Sequence, residues 1–227
     1  MKGLVLFDFD GTLADTAPDL AAAANRQRDR RGLAPLPLAT LRPVASQGAR
    51  GLLRVALDMH PDHPDYEATR QQFLDDYEQA MTEHSSLFPG IDDLLAQLDH
   101  SGLQWGIVTN KMTRLALPLI EHLGLSARSA ATVCGDTTAH AKPHPEPLLH
   151  AARQAGHVPH TCLYVGDDLR DIQASRAAGM PSIAAAYGYC GDALAVSEWQ
   201  ADRQADTPAQ LWPAIIDLLG ARQQQPA

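Results

Sequence analysis

Short apolar runs alternate with helix-like segments over the second half of the chain. The runs fall at residues 103–109, 132–134, 162–165 and 182–186. The segments between them have helical spacing, and several are followed by a glycine. This alternation is typical of parallel strands with helices covering both faces of the sheet. It predicts an α/β fold with a Rossmann-like parallel sheet core.

The first predicted strand lies far from this alternation, at residues 4–7, where four apolar residues in a row fit a strand buried on both faces. The residues that follow it, 15–86, read as helices without a strand signal. We therefore expect a core domain of residues 1–14 and 87–227, with a helical cap domain of residues 15–86 inserted into it. A cap over the carboxyl ends of the strands could exclude water and select substrates.

The C-terminal region is predicted to complete the sheet. Residues 201–205 are expected to form a short edge strand in spite of their polar sequence, and residues 211–219 to form a final helix. A polar tail is expected from residue 222 onward. The edge of the sheet is thus the least apolar part of the predicted core.

The composition argues against several classes of function. The chain of 227 residues has a net charge of −9, which disfavours bulk nucleic-acid binding. No apolar run approaches the ~18 residues of a membrane-spanning helix, and the first strand begins without a signal peptide. Three widely spaced cysteines do not suggest a disulfide framework. We therefore expect a cytoplasmic protein with neither a nucleic-acid nor a membrane partner.

Clusters of polar residues follow four of the predicted strands. The carboxyl ends of parallel strands open on one edge of a sheet, so these clusters are expected to converge there. One lysine lies several residues beyond its strand and has to be brought back by its loop. In chain order the clusters are Asp8 and Asp10, then Thr109, Asn110 and Lys111, then Lys142, then Asp167, Asp168 and Asp171.

Asp8 and Asp10 are two positions apart, so on an extended backbone they point the same way. Two neighbouring carboxylates resist joint ionisation, and a divalent cation such as Mg²⁺ removes that conflict. By itself, Asp-x-Asp-Gly equally fits a polar turn at the end of a strand. The whole set of clusters, however, meets the needs of phosphoryl transfer. These are a carboxylate that attacks phosphorus, a second that moves a proton, and positive charge from a metal and a lysine.

The chain resembles phosphatases of the haloacid dehalogenase superfamily that carry a helical cap between their first and second motifs. All four motifs of that family occur in order, and the resemblance covers nearly the whole chain. An Asp at the second acidic position of the first motif implies a phosphatase rather than a dehalogenase. The motifs are Asp-Phe-Asp-Gly-Thr-Leu at 8–13, Thr109 in Val-Thr-Asn-Lys, Lys142 before a proline, and Gly-Asp-x-x-x-Asp at 166–171.

The resemblance implies a role for each acidic residue of the first motif. Asp8 would be the nucleophile that forms an aspartyl-phosphate, and Asp10 the general acid and then the general base. Mg²⁺ would be held by Asp8, the backbone carbonyl of Asp10, and Asp167. The expected partner of the protein is thus a small phosphorylated metabolite. The protein itself is expected to be a monomer or a homodimer.

The remaining motif residues are expected to bind the phosphoryl group or to support its ligands. Thr109 and Asn110 would hold the phosphoryl group, and Lys142 would pair with it and with the nucleophile. Asp171 would contact and support the residues that bind the metal and the phosphoryl group. Asp168 has either the same role or a surface role.

Substrate selection is expected to depend on the cap. Residues 44–51 form a glycine-containing turn before a helix, and helix N-termini favour anions. Arg50 in this turn could bind a substrate carboxylate bidentately, or could be a surface helix residue. Lys111 is predicted to be solvated rather than catalytic. The loop histidines His60, His63, His140 and His144 are also predicted to be solvated rather than metal-bound.

Within the family, the chain is similar to phosphoglycolate phosphatases. The segments at residues 47–50, 105–111 and 165–172 also resemble N-acetylmuramic acid 6-phosphate phosphatases. Both substrates carry a carboxylate and a phosphate, so Arg50 does not separate them. Two further hypotheses are a sugar phosphomutase of the same superfamily and a catalytically silent binding protein. The intact set of motif residues argues against the silent protein.

Overall fold

A computed structural model describes residues 3–191 and 194–223 of the chain. The strands are β1 Leu4–Phe7, β2 Ala14–Asp15, β3 Ser86–Leu87, β4 Gln104–Val108, β5 Thr132–Val133, β6 Cys162–Gly166, β7 Ser182–Ala185 and β8 Arg203–Ala205. The helices are α1 Ala17–Asp29, α2 Leu38–Leu41, α3 Gly48–Leu57, α4 Tyr66–Ala80, α5 Ile91–Ser101, α6 Thr113–His122, α7 Glu146–Gln154, α8 Leu169–Ala177 and α9 Leu211–Gln223.

Six strands form one parallel sheet in the order β5-β4-β1-β6-β7-β8. The first strand, β1, lies in the middle, with Phe7 opposite Ile107 on one side and Val165 on the other. Its four residues are fully buried, as the uninterrupted apolar run requires for a strand covered on both faces. The predicted α/β fold with a Rossmann-like parallel sheet is confirmed.

Alternate residues of β1 belong to two different hydrophobic clusters, one on each face of the sheet. Val5 and Phe7 pack in a cluster with α5, α6 and α9. Leu4 and Leu6 pack in a cluster with α7 and α8. Because successive side chains of a strand point to opposite faces, one short strand anchors both layers of helices. The position of its last residue, and of the loop that follows, is therefore tightly defined.

The segment between β2 and β3 is helical, as predicted, and its helices α1 to α4 share a hydrophobic cluster that also includes Leu115 of α6 and Tyr189. Leu20, Leu53, Phe73 and Tyr77 are buried in this cluster. The prediction of no strand over residues 15–86 was wrong at both ends, where β2 and β3 form a two-stranded antiparallel ribbon. Two-residue strands carry too little periodicity to be seen in a sequence. The ribbon joins the helical segment to the sheet, and the division into core and cap domains stays a prediction.

The edge strand predicted near residues 201–205 exists as β8, which pairs in parallel with β7. Its backbone makes the ladder, so only Ala205 needs to be buried and the two polar residues before it are exposed. Helix α9 continues to Gln223, which shortens the predicted polar tail, and residues 224–227 lie outside the described residues. Cys134, Cys162 and Cys190 are free thiols. Within the described residues, no helix has the length and apolar character needed to cross a membrane.

Candidate active site

The catalytic candidates lie where the central strands end. Beyond β1, the backbone N–H of Asp8 still donates to the carbonyl of Val165 at 2.8 Å. Beyond β4, the N–H of Thr109 donates to the carbonyl of Val133 at 2.9 Å. Asp167 directly follows β6. The sheet ladder thus places all three residues at its carboxyl edge, as the sequence predicts.

A tight turn after β1 brings the first motif against Asp167. Gly11 has a φ of +83°, and a Cβ at this position would lie 2.1 Å from Oδ2 of Asp167. On the other side, a Cβ at Gly188 would lie 2.4 Å from the Cβ of Asp167. Only glycine fits the left-handed backbone and the close approach at position 11. The glycine of the motif therefore allows two strand ends to place their carboxylates side by side.

Lys142 lies buried at the centre of the site. Its Nζ is 2.9 Å from Oδ1 of Asp8 and 2.7 Å from Oδ1 of Asp171. It also donates to the carbonyl of Val108 at 3.0 Å and to the hydroxyl of Tyr164 at 2.8 Å. Burial alone would lower the pKa of Lys142, but the carboxylates of Asp171 and Asp8 outweigh it and raise that pKa. The ammonium group is therefore held in its charged form beside the expected nucleophile.

The loop that carries Lys142 is held in place by Asn110. The side-chain amide of Asn110 donates to the backbone carbonyl of Lys142 at 3.0 Å, and its oxygen accepts from the backbone N–H of Lys142 at 3.0 Å. This clamp explains how a lysine distant from its strand returns to the sheet edge. The role of Asn110 in holding a phosphoryl group stays a prediction.

Three carboxylates crowd the floor of the site. Oxygens of Asp8, Asp167 and Asp171 lie within 4.8 Å of one another. Asp167 is fully buried, and its oxygens accept from Oγ1 of Thr12 and from the N–H of Tyr189, each at 2.9 Å. Burial, followed by the charges of Asp8 and Asp171, raises the pKa of Asp167 well above its usual range. An anion that is this costly to bury suits a site that receives a cation.

Asp171 contacts residues on both sides of the carboxylate cluster and helps to hold them in place. Its two oxygens accept from Nζ of Lys142 and, at 3.1 Å, from the backbone N–H of Asp168. Burial raises its pKa to about 7 although Lys142 opposes the shift. Asp8 and Asp167 are therefore the side chains that best fit a hard divalent cation, since such ions prefer oxygen ligands. The donor set fits Mg²⁺.

Asp168 has a structural task at the start of α8. It caps the helix by accepting from the N–H of Arg170 at 2.9 Å, and it also pairs with the guanidinium of Arg170 at 2.8 Å. Burial opposes its charge, but the hydrogen bonds and the positive charge of Arg170 together outweigh burial and lower the pKa of Asp168. Arg170 in turn donates to the carbonyl of Ser46 in the helical segment at 2.8 Å. The side chain of Asp168 is only 15% exposed and paired with Arg170, which disfavours a surface role for it.

Asp10 is bound by two donors that act on the same oxygen. Its Oδ1 accepts from Oγ1 of Thr16 at 2.5 Å and from Nζ of Lys111 at 2.9 Å. Lys111 also donates to the hydroxyl of Tyr77 on α4 at 2.9 Å, and its side chain is only 8% exposed. Burial would lower the pKa of Lys111, but the charge of Asp10 and the contact with Tyr77 together outweigh burial and raise that pKa. The prediction that Lys111 is solvated was wrong, because α4 covers it.

A cavity of about 330 Å³ lies above these residues, between the sheet edge and the helical segment. The sheet side contributes Asp8, Asp10, Thr109, Asn110, Lys111, Met112, Leu115, Lys142, Asp168, Arg170 and Asp171. The helical segment contributes Leu20, Ala45, Ser46, Gln47, Gly48, Ala49, Arg50, Arg70, Phe73, Leu74 and Tyr77. The cavity is thus charged at its floor and largely apolar toward the helices.

Two arginines of the helical segment reach this cavity. Arg50 is exposed and lines it, and none of the described residues forms a hydrogen bond or an ion pair with its side chain. Arg70 also lines it, paired with the exposed Glu67 at 2.8 Å. Arg70 was missed by sequence reasoning because it looks like any charged residue on a surface helix. The histidines His60, His63, His140 and His144 are exposed, as predicted.

Comparison with known proteins finds relatives over most of the chain. A family model described as haloacid dehalogenase-like hydrolase matches residues 5–185. A phosphoglycolate phosphatase of Xanthomonas campestris pv. campestris (strain 8004) is 49% identical over 209 residues, which cover 92% of this chain and 94% of the relative. An N-acetylmuramic acid 6-phosphate phosphatase of Pseudomonas aeruginosa is 44% identical over 215 residues, which cover 95% of this chain and 93% of the relative. The solved structure of a predicted phosphoglycolate phosphatase from Haemophilus somnus 129pt has a TM-score of 0.82 at 26% identity, and the match covers 94% of this chain and 97% of that chain.

Proposed function

Because the chain belongs to the haloacid dehalogenase-like hydrolase family, we propose that it is a phosphatase that hydrolyses a small phosphomonoester through an aspartyl-phosphate on Asp8. The family resemblance carried by its motifs is thereby confirmed. The observation that carries the proposal is the contact of Lys142 with Asp8 at 2.9 Å, on the floor of a cavity large enough for a metabolite. A buried carboxylate that is paired with an ammonium group and open to a cavity suits a nucleophile for an anionic ester.

In the first step, Asp8 attacks the phosphorus of the bound ester. Its Oδ1 accepts from Lys142 and, at 2.7 Å, from the backbone N–H of Phe9. No described residue donates to its Oδ2, which is the oxygen that forms the new bond to phosphorus. As this bond forms, the bond between phosphorus and the leaving oxygen breaks, and Asp10, which enters this step in its protonated form, gives its proton to that oxygen. The products of the step are an alcohol and the aspartyl-phosphate.

In the second step, water hydrolyses the aspartyl-phosphate. Asp10, now a carboxylate, takes a proton from the water as the water oxygen attacks phosphorus. The bond between phosphorus and Asp8 breaks, so the carboxylate is restored and inorganic phosphate is free to leave. Lys142 and Thr109 remain in contact with the phosphoryl group throughout and stabilise its oxygens.

We infer that Asp8, Asp167 and the backbone carbonyl of Asp10 hold Mg²⁺. When bound, this ion would neutralise phosphoryl oxygens as charge develops on them. The inference is supported by the raised pKa of the fully buried Asp167 and by the 4.8 Å limit on the separation of the carboxylate oxygens. Chelation is expected to abolish activity, and added Mg²⁺ to restore it.

We propose that residues 15–86 act as a cap domain that selects the substrate. Arg50 and Arg70 reach the cavity from α3 and α4, opposite the carboxylate floor, where they are placed to meet a second anionic group of the substrate. Phosphoglycolate, with one carboxylate, is the first candidate substrate because the relative at 49% identity is named as a phosphoglycolate phosphatase. A cytoplasmic location and a monomeric or homodimeric state stay predictions from the sequence.

A larger phosphorylated sugar acid is the second candidate. The walls formed by Leu20, Phe73 and Leu74 are apolar, and a molecule as small as phosphoglycolate would leave them without contacts. N-acetylmuramic acid 6-phosphate has both the carboxylate and the greater bulk, and a relative at 44% identity is named for it. Ranking the two esters and common sugar phosphates by kcat/KM with Mg²⁺ present decides between them.

Replacing the nucleophile tests the proposed reaction. Asp8→Asn removes the attacking oxygen but keeps the shape of the side chain, and is expected to lower kcat by about 10³-fold or more. The measurement is release of inorganic phosphate, which also separates a phosphatase from a phosphomutase. Asp93→Asn, at an exposed position on α5, is the control and should retain full activity. Near-normal turnover by Asp8→Asn would remove Asp8 as nucleophile, and no hydrolysis of any ester by the unchanged protein would favour a silent binding protein.

A further inference from the structure

We propose that Lys111 is a positioning residue that holds Asp10 for proton transfer, and that Tyr77 connects this role to the helical segment. The proposal rests on the phosphatase function proposed above. It concerns a lysine that lies in the second motif but outside the set of residues that contact the expected nucleophile. Its partners come from two different parts of the fold.

The contact between Lys111 and its partners is a specific one. Its Nζ lies 2.9 Å from Oδ1 of Asp10 and 2.9 Å from the hydroxyl of Tyr77. The ammonium also lies 4.6 Å from the centre of the Tyr77 ring, within the range of a cation–π interaction. Burying a charged ammonium is costly unless partners satisfy it. Both partners are therefore needed for Lys111 to occupy this place.

Lys111 and Thr16 together fix the orientation of Asp10. Both donors bind Oδ1, and no described residue donates to Oδ2. The carboxyl group is thus anchored through one oxygen and leaves the other available for the leaving group or for water. Proton transfer requires this oxygen to be within hydrogen-bond reach of its partner, and an error of about 1 Å can cost ~100-fold in rate.

The two acids of the reaction are held by different parts of the fold. Asp8 and Lys142 contact groups of the α/β core, namely Phe9, Val108, Tyr164 and Asp171. Asp10 instead depends on Thr16, directly before α1, and through Lys111 on Tyr77 of α4. The nucleophile is therefore positioned independently of the helical segment, whereas the proton-transfer residue is positioned by it.

This division predicts a leaving-group effect in Lys111→Met. With 4-nitrophenyl phosphate, the leaving group departs without a proton, so formation of the aspartyl-phosphate should be slowed less than about tenfold. Hydrolysis of that intermediate still needs Asp10 and should fall about 100-fold. Rapid mixing with Mg²⁺ should therefore show a burst of nitrophenol, equal to the enzyme concentration, followed by slow turnover. With an alkyl phosphate, whose leaving group needs the proton, both steps should be slow and no burst should appear.

Two further variants keep the proposal falsifiable. Tyr77→Phe keeps the ring and removes only the hydroxyl, and is expected to show the same leaving-group dependence with a smaller loss. It decides the matter if Lys111→Met does not fold. Arg114→Met removes a second link between core and segment, the pair of Arg114 with Glu78 at 3.3 Å, without touching Asp10, and should behave as the unchanged protein.

Equal slowing of aspartyl-phosphate formation with both esters, or no loss in either Lys111→Met or Tyr77→Phe, would overturn the proposal. The same dependence in Arg114→Met would also overturn it, because any loosened link would then suffice. If the unchanged protein hydrolyses esters and Asp8→Asn does not, the proposed function stands whichever result Lys111 gives. Failure of the unchanged protein to hydrolyse any ester would instead refute the function itself.

Discussion

At the scale of single residues, one ammonium group balances two buried carboxylates. Lys142 contacts Asp8 and Asp171 at 2.9 and 2.7 Å, and all three side chains are at most 13% exposed. Charges in such a place are stable only while each keeps its partner. The lysine that would contact the phosphoryl group is thus also a structural requirement of the resting site.

Lys142→Met should therefore destabilise the metal-free protein. Removing one partner of a buried ion pair leaves uncompensated charge and costs about 3–5 kcal/mol. The free energy of unfolding in urea measures this loss. Arg153→Met, at an exposed position on α7, should change the same free energy by less than about 0.5 kcal/mol. A loss below about 1 kcal/mol for Lys142→Met would contradict the expectation.

At the scale of secondary-structure elements, the start of α1 is bound by a tyrosine that follows β7. The N-terminal N–H groups of a helix have no partners within the helix. At α1, the N–H groups of Thr16 and Ala17 donate to the hydroxyl of Tyr189 at 2.8 and 2.9 Å. The side chain of Thr16 does not cap the helix and binds Asp10 instead. Because Tyr189 accepts from these N–H groups, the side chain of Thr16 is available to bind Asp10.

Tyr189→Phe should loosen the start of α1. It leaves two buried N–H groups without their acceptor, at a cost of about 1–3 kcal/mol for each unsatisfied group. Urea unfolding measures the total, and faster hydrogen exchange at Thr16 and Ala17 would locate it. Tyr66→Phe is the matched control, since no described residue forms a hydrogen bond with the Tyr66 hydroxyl. If the two variants were equally stable, the hydroxyl of Tyr189 would not be what begins this helix.

At the scale of the whole molecule, the fold gathers negative charge where strands β1 and β6 end. The pKa of Asp171 is raised to about 7 and that of Asp167 is raised well above its usual range, in both cases chiefly by burial. The folded metal-free protein thus binds protons that the unfolded chain has released above about pH 4. The stability from these protons is present below about pH 4 and is lost as the pH rises through about 7.

Mg²⁺ should therefore stabilise the protein more strongly as the pH rises. The cation replaces the protons on the carboxylates, so the increase in Tm on adding Mg²⁺ should grow between about pH 5 and pH 8. Thermal unfolding with and without Mg²⁺ across this range measures it. Asp167→Asn removes one expected ligand and should flatten the dependence. A Tm increase that is the same at every pH, or unchanged in Asp167→Asn, would contradict a metal site at these carboxylates.

Much of the architecture could be read from local patterns. Apolar runs of the right length predicted the strands, and the uninterrupted run at residues 4–7 predicted that β1 is buried on both faces. Since parallel strands share one carboxyl edge, the same patterns predicted that Asp8, Thr109 and Asp167 would meet. These features depend on neighbouring residues and on a general rule of sheet topology, so no tertiary contact had to be known.

The sequence by itself thus determined the fold class, the position of the helical segment and the residues of the strand ends. The tertiary structure alone decided which side chains pair across long separations. Lys111 meets Tyr77, Asn110 clamps the backbone of Lys142, and Arg70 turns toward the cavity. The reason is physical. Secondary structure follows from periodicity within a segment, whereas these contacts depend on how separate segments pack, and a charged residue has the same local pattern whether a distant helix covers it or water does.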